Sequence, residues 1–311
     1  MSYNIHTYPC QEKTLDFAPL ISIVMTVNLW IVGDSFSQPA EDHDPEWVWP
    51  RQVADRLSQQ LGEPVTVTNQ SFHGVSQDFN WFSLQAWTHH EKISPNDYII
   101  VVLTHPNRYW FFEEQPDLAN PHWMLDVDEH LTPEQLKTVE LYIKHVQRPT
   151  LDSIQLISRL GWLSHAVTQW GLRRPLVIKG FEQDLCGCDS YRNLNVARGC
   201  LWDVQRHEFE DLEMDSTQFF RGVDARYHHI TRPNHDWLSH RVVEGLVNDT
   251  TVDLTEGYTQ ALLSTKTFDD PDFCQHNLNM QRVIESRSRI PIKAVSPLTA
   301  WLKPLIRPAK I

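Results

Sequence analysis

The stretch Asn28-Leu29-Trp30-Ile31-Val32-Gly33-Asp34-Ser35-Phe36-Ser37 constrains this chain more than any other. An apolar run with β-branched residues breaks off at Gly-Asp-Ser, as a strand buried on both faces does when it ends in a tight turn. Ligands of open α/β sheets gather at the carboxyl ends of strands, so Ser35 stands where chemistry is done. The same residues also make an ordinary strand-ending turn. The rest of the chain has to decide between the two.

Downstream, strand and helix patterns alternate. A helix is expected near Pro50, with Val53, Leu57 and Leu61 on its apolar face and Gly62 at its end. Residues 65–69 (Val-Thr-Val-Thr-Asn) read as a second strand, followed by the loop Gln70-Ser71-Phe72-His73-Gly74-Val75. Ser76 is placed to cap the next helix, which carries Phe79, Phe82 and Ala86. Asp97 to Leu103 is the clearest buried strand, and it ends at Thr104-His105-Pro106-Asn107-Arg108. Thr132-Pro133-Glu134-Gln135 is a capping box that opens a helix. A second helix follows Pro149 and closes at Gly171, and Pro175 to Gly180 is the next strand. Residues 181–230 show no clear pattern, and a last helix is expected from Asp236 to Val247. This alternation predicts an α/β fold with a central parallel sheet covered on both faces.

The formal charge of −13 over 311 residues argues against a nucleic-acid partner, for which a basic face is needed. Five scattered cysteines make no disulfide framework; Cys186-Gly187-Cys188 is too close-set for an ordinary bridge, and a reducing compartment fits best. The segment Phe17 to Val32 contains Pro19, Ser22, Thr26 and Asn28 and is too short to span a bilayer. We read it as buried strand and lead-in, with no targeting signal, so synthesis is expected in the cytoplasm. Sixteen histidines raise the question of metal. His228-His229 and the pair His235 and His240 lack zinc-helix spacing and a completing carboxylate, so neither metal nor cofactor is expected.

Two segments stand apart. The region about 105–131 is long and aromatic and reads as an insertion, with Tyr109-Trp110-Phe111-Phe112 and Trp123 as material for a substrate wall or a buried patch. From Arg282 to Ile311, seven Lys/Arg face the single acid Glu285, a local charge of +6 that leaves −19 on the rest. That tail reads either as a strap on the chain's own acidic surface or as a docking arm for another subunit or an acidic partner. The expected organisation is a lead-in (1–27), an α/β domain (28–248) and a C-terminal extension (249–311).

Ser35, Gly74 and Asn107 sit on loops after three successive strands, and His235 precedes the last helix. This ordered Ser, Gly, Asn, His set resembles the SGNH (GDSL-type) hydrolase superfamily, over roughly residues 28–248. The combination of Gly-Asp-Ser-Phe-Ser, Trp-Pro, Asn-Gln-Ser-Phe-His-Gly-Val-Ser, Asp-Tyr-Ile-Ile-Val and Pro-Asn-His looks most like the divergent branch found in bacteriophage genomes. The resemblance implies a flavodoxin-like three-layer sandwich and a serine esterase. Ser35 would be the nucleophile and His235 its base, with the backbone N–H groups of Ser35 and Gly74 and the Asn107 side chain as oxyanion hole. A hydroxyl needs such a base to attack a carbonyl, and fixed donors stabilise the developing oxyanion. A glycine at position 74 lets substrate approach the backbone.

Two departures from that pattern matter. The third block lacks its usual glycine, so His105 or Arg108 could face the pocket in place of Asn107. The aspartate usual three residues before the histidine is Arg232 here, which leaves a backbone carbonyl, Asp224 or Asp236 to orient the ring. His240 is the rival base. The resemblance implies an ester-bearing small molecule or acylated glycan as substrate. The alternatives are a catalytically weak or inactive scaffold, for example a virion component that docks through the basic tail, and a sugar-binding module using the same cleft.

Overall fold

The computed structural model of the chain describes residues 27–38, 48–72, 74–90, 93–105, 108–109, 132–183, 185, 191–208 and 229–262. Asn107, Trp110, Trp123, Asp224, the Cys186–Cys188 pair, most of the aromatic insertion and the basic tail lie outside them.

Five strands form one parallel sheet: β1 (Val27–Val32), β2 (Val65–Asn69), β3 (Tyr98–Leu103), β4 (Leu176–Lys179) and β5 (Asn195–Val196), in the order β2-β1-β3-β4-β5. The fold is therefore the expected α/β sandwich with a central parallel sheet. The described residues hold six helices, α1 (Trp49–Leu61), α2 (Gln77–His89), α3 (Pro133–His145), α4 (Pro149–Trp170), α5 (Leu201–His207) and α6 (Arg232–Asn248), and all but α3 contribute to the cores on the two faces of the sheet.

The two faces follow from the period of the strands. Leu29, Ile31, Ile100, Val102 and Ile178 point to one side, where they meet Val53 and Leu57 of α1, Leu201 of α5 and Leu238 and Val242 of α6. Trp30, Val32, Ile99, Val101 and Val177 point to the other, against Trp81 and Leu84 of α2 and Leu160 and Leu163 of α4. Both faces being covered, β3 is buried at every position, which is why it reads as a continuous apolar run.

Local signals act where expected. The Ser76 hydroxyl accepts from Phe79 N–H at 3.2 Å, and Thr132 and Gln135 form a reciprocal capping box. The last helix begins four residues earlier than expected, at Arg232, with Pro233 in its first turn. After α6 the chain returns to the sheet, where Val252 and Leu254 join the core and pair with Arg198. Among the described residues, no helix is long and apolar enough to cross a membrane.

One buried carboxylate ties the entrances of the central strands together. Asp97, just before β3, accepts from Asn28 N–H at 3.0 Å, Asn28 Nδ2 at 3.1 Å, Trp30 Nε1 at 2.9 Å and Ser94 N–H at 2.8 Å. Replacing it leaves buried donors unmatched, each costing about 1–3 kcal/mol. We expect Asp97→Ala to lose at least about 3 kcal/mol in urea unfolding, with Asp97→Asn intermediate.

Candidate active site

The Gly-Asp-Ser turn sits at the carboxyl end of β1, an inner strand of the sheet. Asp34 is wholly buried and closes the turn on itself, its Oδ1 accepting from Phe36 N–H at 3.1 Å. Its carbonyl accepts from Ser37 N–H at 2.9 Å. Gly33 has no room for a side chain: an added Cβ would lie 2.2 Å from Ser37 Oγ and 2.7 Å from Val102 Cβ. The second loop is stitched to the first. Asn69 Nδ2 donates to Ser37 O at 2.6 Å, Ser71 N–H to Asn69 Oδ1 at 2.9 Å, and Ser37 Oγ to Ser71 Oγ at 2.9 Å. Gly74 follows in this loop with φ of 70°, a backbone conformation open to glycine at no steric cost.

The other carboxylate oxygen of Asp34 takes a hydrogen bond from Arg108 Nη1 at 3.1 Å, and the same nitrogen donates to Thr104 Oγ1 at 2.7 Å. Burial pulls the Arg108 guanidinium below its ordinary value, and the Asp34 carboxylate beside it offsets part of that effect. Arg108 also lies over the Phe181 ring at 5.2 Å, and His105 packs edge-on against the same ring. Of the two candidates at the third block, Arg108 is therefore held inward by the serine turn itself.

The imidazole on Ser35 is His229, whose Nε2 lies 2.7 Å from Ser35 Oγ. His235, the expected base, does other work. It falls in the first turn of α6, wholly buried, and its Nδ1 accepts from Trp49 N–H at 3.1 Å. That N–H is one of the donors left open at the start of α1, and the N-cap residue Val48 offers no side-chain acceptor. Because the helix starts at Arg232, position 235 turns into the core, and the half-buried imidazole at Ser35 comes from the stretch before the N-cap Thr231. Asp236, one position on, points about 100° away from His235. Its carboxylate is held by Arg56 at 2.5 Å and lies 3.8 Å from His240, so it serves the surface between α1 and α6. His240 stands with it, its side chain 61% exposed. Measured back from His229, the third residue is Arg226, which lies outside the described residues.

The His229 ring packs against Phe36 at 4.9 Å, and its backbone has φ of 62°, a region that histidine enters more readily than most residues but that must be held by its surroundings. Just beyond it the chain is fixed by Glu208, a fully buried carboxylate that sequence reading missed. It accepts from Thr231 N–H and Thr231 Oγ1 at 2.7 Å and from Asn234 Nδ2 at 2.6 Å. A carboxylate at a helix N-terminus is favoured by the helix dipole, and here it anchors the segment that presents His229. Among the described residues, no group of His, Cys, Asp and Glu could hold a metal ion.

No protein-family model matches the chain, and no curated protein matches it. Solved structures similar to it include TesA, at 18% identity and TM-score 0.29, covering 53% of this chain and 66% of TesA. The lipase/acylhydrolase from Enterococcus faecalis is 12% identical at TM-score 0.37, covering 73% of this chain and 98% of that one. An acetyl xylan esterase from Geobacillus stearothermophilus is 13% identical at TM-score 0.36, covering 74% and 97%.

The division of labour between the histidines is measurable. His235→Ala removes a buried acceptor and opens a cavity, and should cost about 2 kcal/mol in thermal unfolding. His229→Asn keeps a residue suited to positive φ and should change stability by less than about 1 kcal/mol. Arg108→Ala strands the buried Asp34 carboxylate and should cost about 3–5 kcal/mol.

Proposed function

We propose that this chain is a serine esterase of the SGNH type, acting on O-acyl esters of carbohydrates, with Ser35 as nucleophile and His229 as base. The observation that carries the reading is the 2.7 Å contact between Ser35 Oγ and His229 Nε2 at the carboxyl edge of a parallel sheet. A serine hydroxyl is a poor nucleophile until a positioned base takes its proton. Here the base comes from a distant loop, braced by Phe36 and by the Glu208 anchor.

In the first half-reaction Ser35 Oγ bonds to the acyl carbon while its proton passes to His229 Nε2. The tetrahedral intermediate collapses, the alcohol oxygen leaves with that proton, and the acyl group remains on Ser35. Water then attacks the acyl-enzyme, giving its proton to His229, and Ser35 leaves with the proton returned as the free acid departs. The backbone N–H groups of Ser35 and Gly74, with the Asn107 side chain, are the proposed donors to the oxyanion. Removing one such donor typically costs about 3–4 kcal/mol of transition-state stabilisation.

A fluorophosphonate probe tests the assignment. Wild type should label at Ser35, Ser35→Ala should not label at all, and His229→Asn should label at least about 100-fold more slowly. Equal labelling of His229→Asn and wild type would remove His229 as base. No labelling of folded wild type would favour a scaffold that kept the fold; glycan binding retained in Ser35→Ala without acyl release would favour a sugar-binding module.

A further inference from the structure

Beside the Asp34–Arg108 pair, at the carboxyl end of β3, lies a polar pocket built around Thr104. Gln77, Thr104, Arg108 and Gln183 line it, with Tyr109, Asp152 and the Asp78–Arg159 ion pair also on its wall. Three side chains each use one end to hold Thr104. Gln77 Oε1 accepts Thr104 N–H at 2.8 Å, Arg108 Nη1 donates to Thr104 Oγ1 at 2.7 Å, and Gln183 Nε2 donates to Thr104 O. These bonds fix which way both amides point. The other ends, Gln77 Nε2, Arg108 Nε and Gln183 Oε1, are buried with no hydrogen-bond partner. Gln77 and Gln183 are only 5% and 9% exposed, and buried polar atoms are rarely left unmatched without a reason.

The unmatched set is specific: two donors and one acceptor. A hydroxyl group accepts two hydrogen bonds and donates one, which matches it. A carboxylate or phosphate would set oxygen against Gln183 Oε1 and lie beside Asp78 and Asp152. An ammonium would face the N–H groups of Gln77 and Arg108. The pocket's free volume, about 10 Å³, is room for a single water-sized group and not for a sugar ring. Arg108 links this pocket to the turn bearing Ser35, because the Nη1 that holds Thr104 also reaches Asp34 Oδ2 at 3.1 Å.

We infer that this pocket recognises one free hydroxyl of the alcohol portion of the substrate, while the acyl group is presented to Ser35. The inference rests on the esterase reading and narrows it: partly acylated polyols and sugars are preferred over simple alkyl esters. Gln77, Arg108 and Gln183 are then specificity residues that touch substrate away from the reacting carbonyl.

The test compares 2-, 3- and 4-hydroxycyclohexyl acetates with cyclohexyl acetate, each kcat/KM corrected for the ester's rate in alkali. The best hydroxylated ester should exceed cyclohexyl acetate by about tenfold or more, because the analogue lacking the hydroxyl leaves buried groups unmatched. In Gln183→Met that ratio should fall to between one and two; being a ratio, it is insensitive to a loss of folded protein. A wild-type ratio near one, with Ser35 still labelled by fluorophosphonate, would overturn the inference and leave the esterase reading standing, the pocket then holding water alone. An undiminished ratio in Gln183→Met would overturn the residue assignment. Absence of both turnover and labelling would bring down the two readings together.

Discussion

The arrangement depends on a carboxylate with no access to solvent, that of Asp34. One oxygen closes the turn by accepting Phe36 N–H, and the other holds Arg108, 74 residues away along the chain. A buried charge of this kind is tolerated only when paired and hydrogen-bonded. The pair thus fixes the loop after β1 relative to the loop after β3. Because these strands are neighbours in the sheet, the serine turn cannot shift without dragging the third loop with it. Gly33 completes the constraint, since any side chain there would collide with Ser37 and Val102.

On the other face of the turn, a second node joins the serine loop to the helical layer. Trp49 donates its indole N–H to Phe36 O at 2.7 Å and its backbone N–H to His235. Thus α1, α6 and the serine loop meet in one buried cluster. The chain carries a histidine on each side of the α6 start, and the helix phase separates their tasks. His235 faces inward and satisfies a helix end; His229, before the N-cap, is left to meet Ser35. Glu208 stabilises the boundary between the two by holding Thr231 and Asn234.

Much of this was legible locally. β1 and β3 announce themselves as apolar runs because strands buried on both faces need no polar alternation. The caps at Ser76 and Thr132 are contacts between residues three apart, so their signals lie within one window of sequence. His235 is expected beside the serine when the last helix is read from Asp236; the helix begins at Arg232 and buries it. Thr231-Arg232-Pro233 is itself a helix-start pattern; given its weight, it would have put His235 inside the helix and His229 in the loop. Residues 181–230 were opaque for a different reason. β5 is two residues long and is held by flanking backbone bonds such as Ala197 N–H to Val177 O at 2.8 Å, and so short a strand has no period to read.

The sequence alone determined the parallel sheet, the position of Ser35 at its carboxyl edge and the order of the loops around it, because each follows from short-range patterning of apolar residues, turns and caps. Which imidazole reaches the hydroxyl was decided only by tertiary structure. So were the partnership of Arg108 with Asp34, the anchoring of α6 by Glu208 and the polar pocket around Thr104. Apart from the bond between Arg108 and Thr104, four residues apart, these are contacts between residues 23 to 194 positions apart. No local preference encodes such pairs; they exist because packing the two helical layers onto one sheet leaves buried charges and amides no other partners.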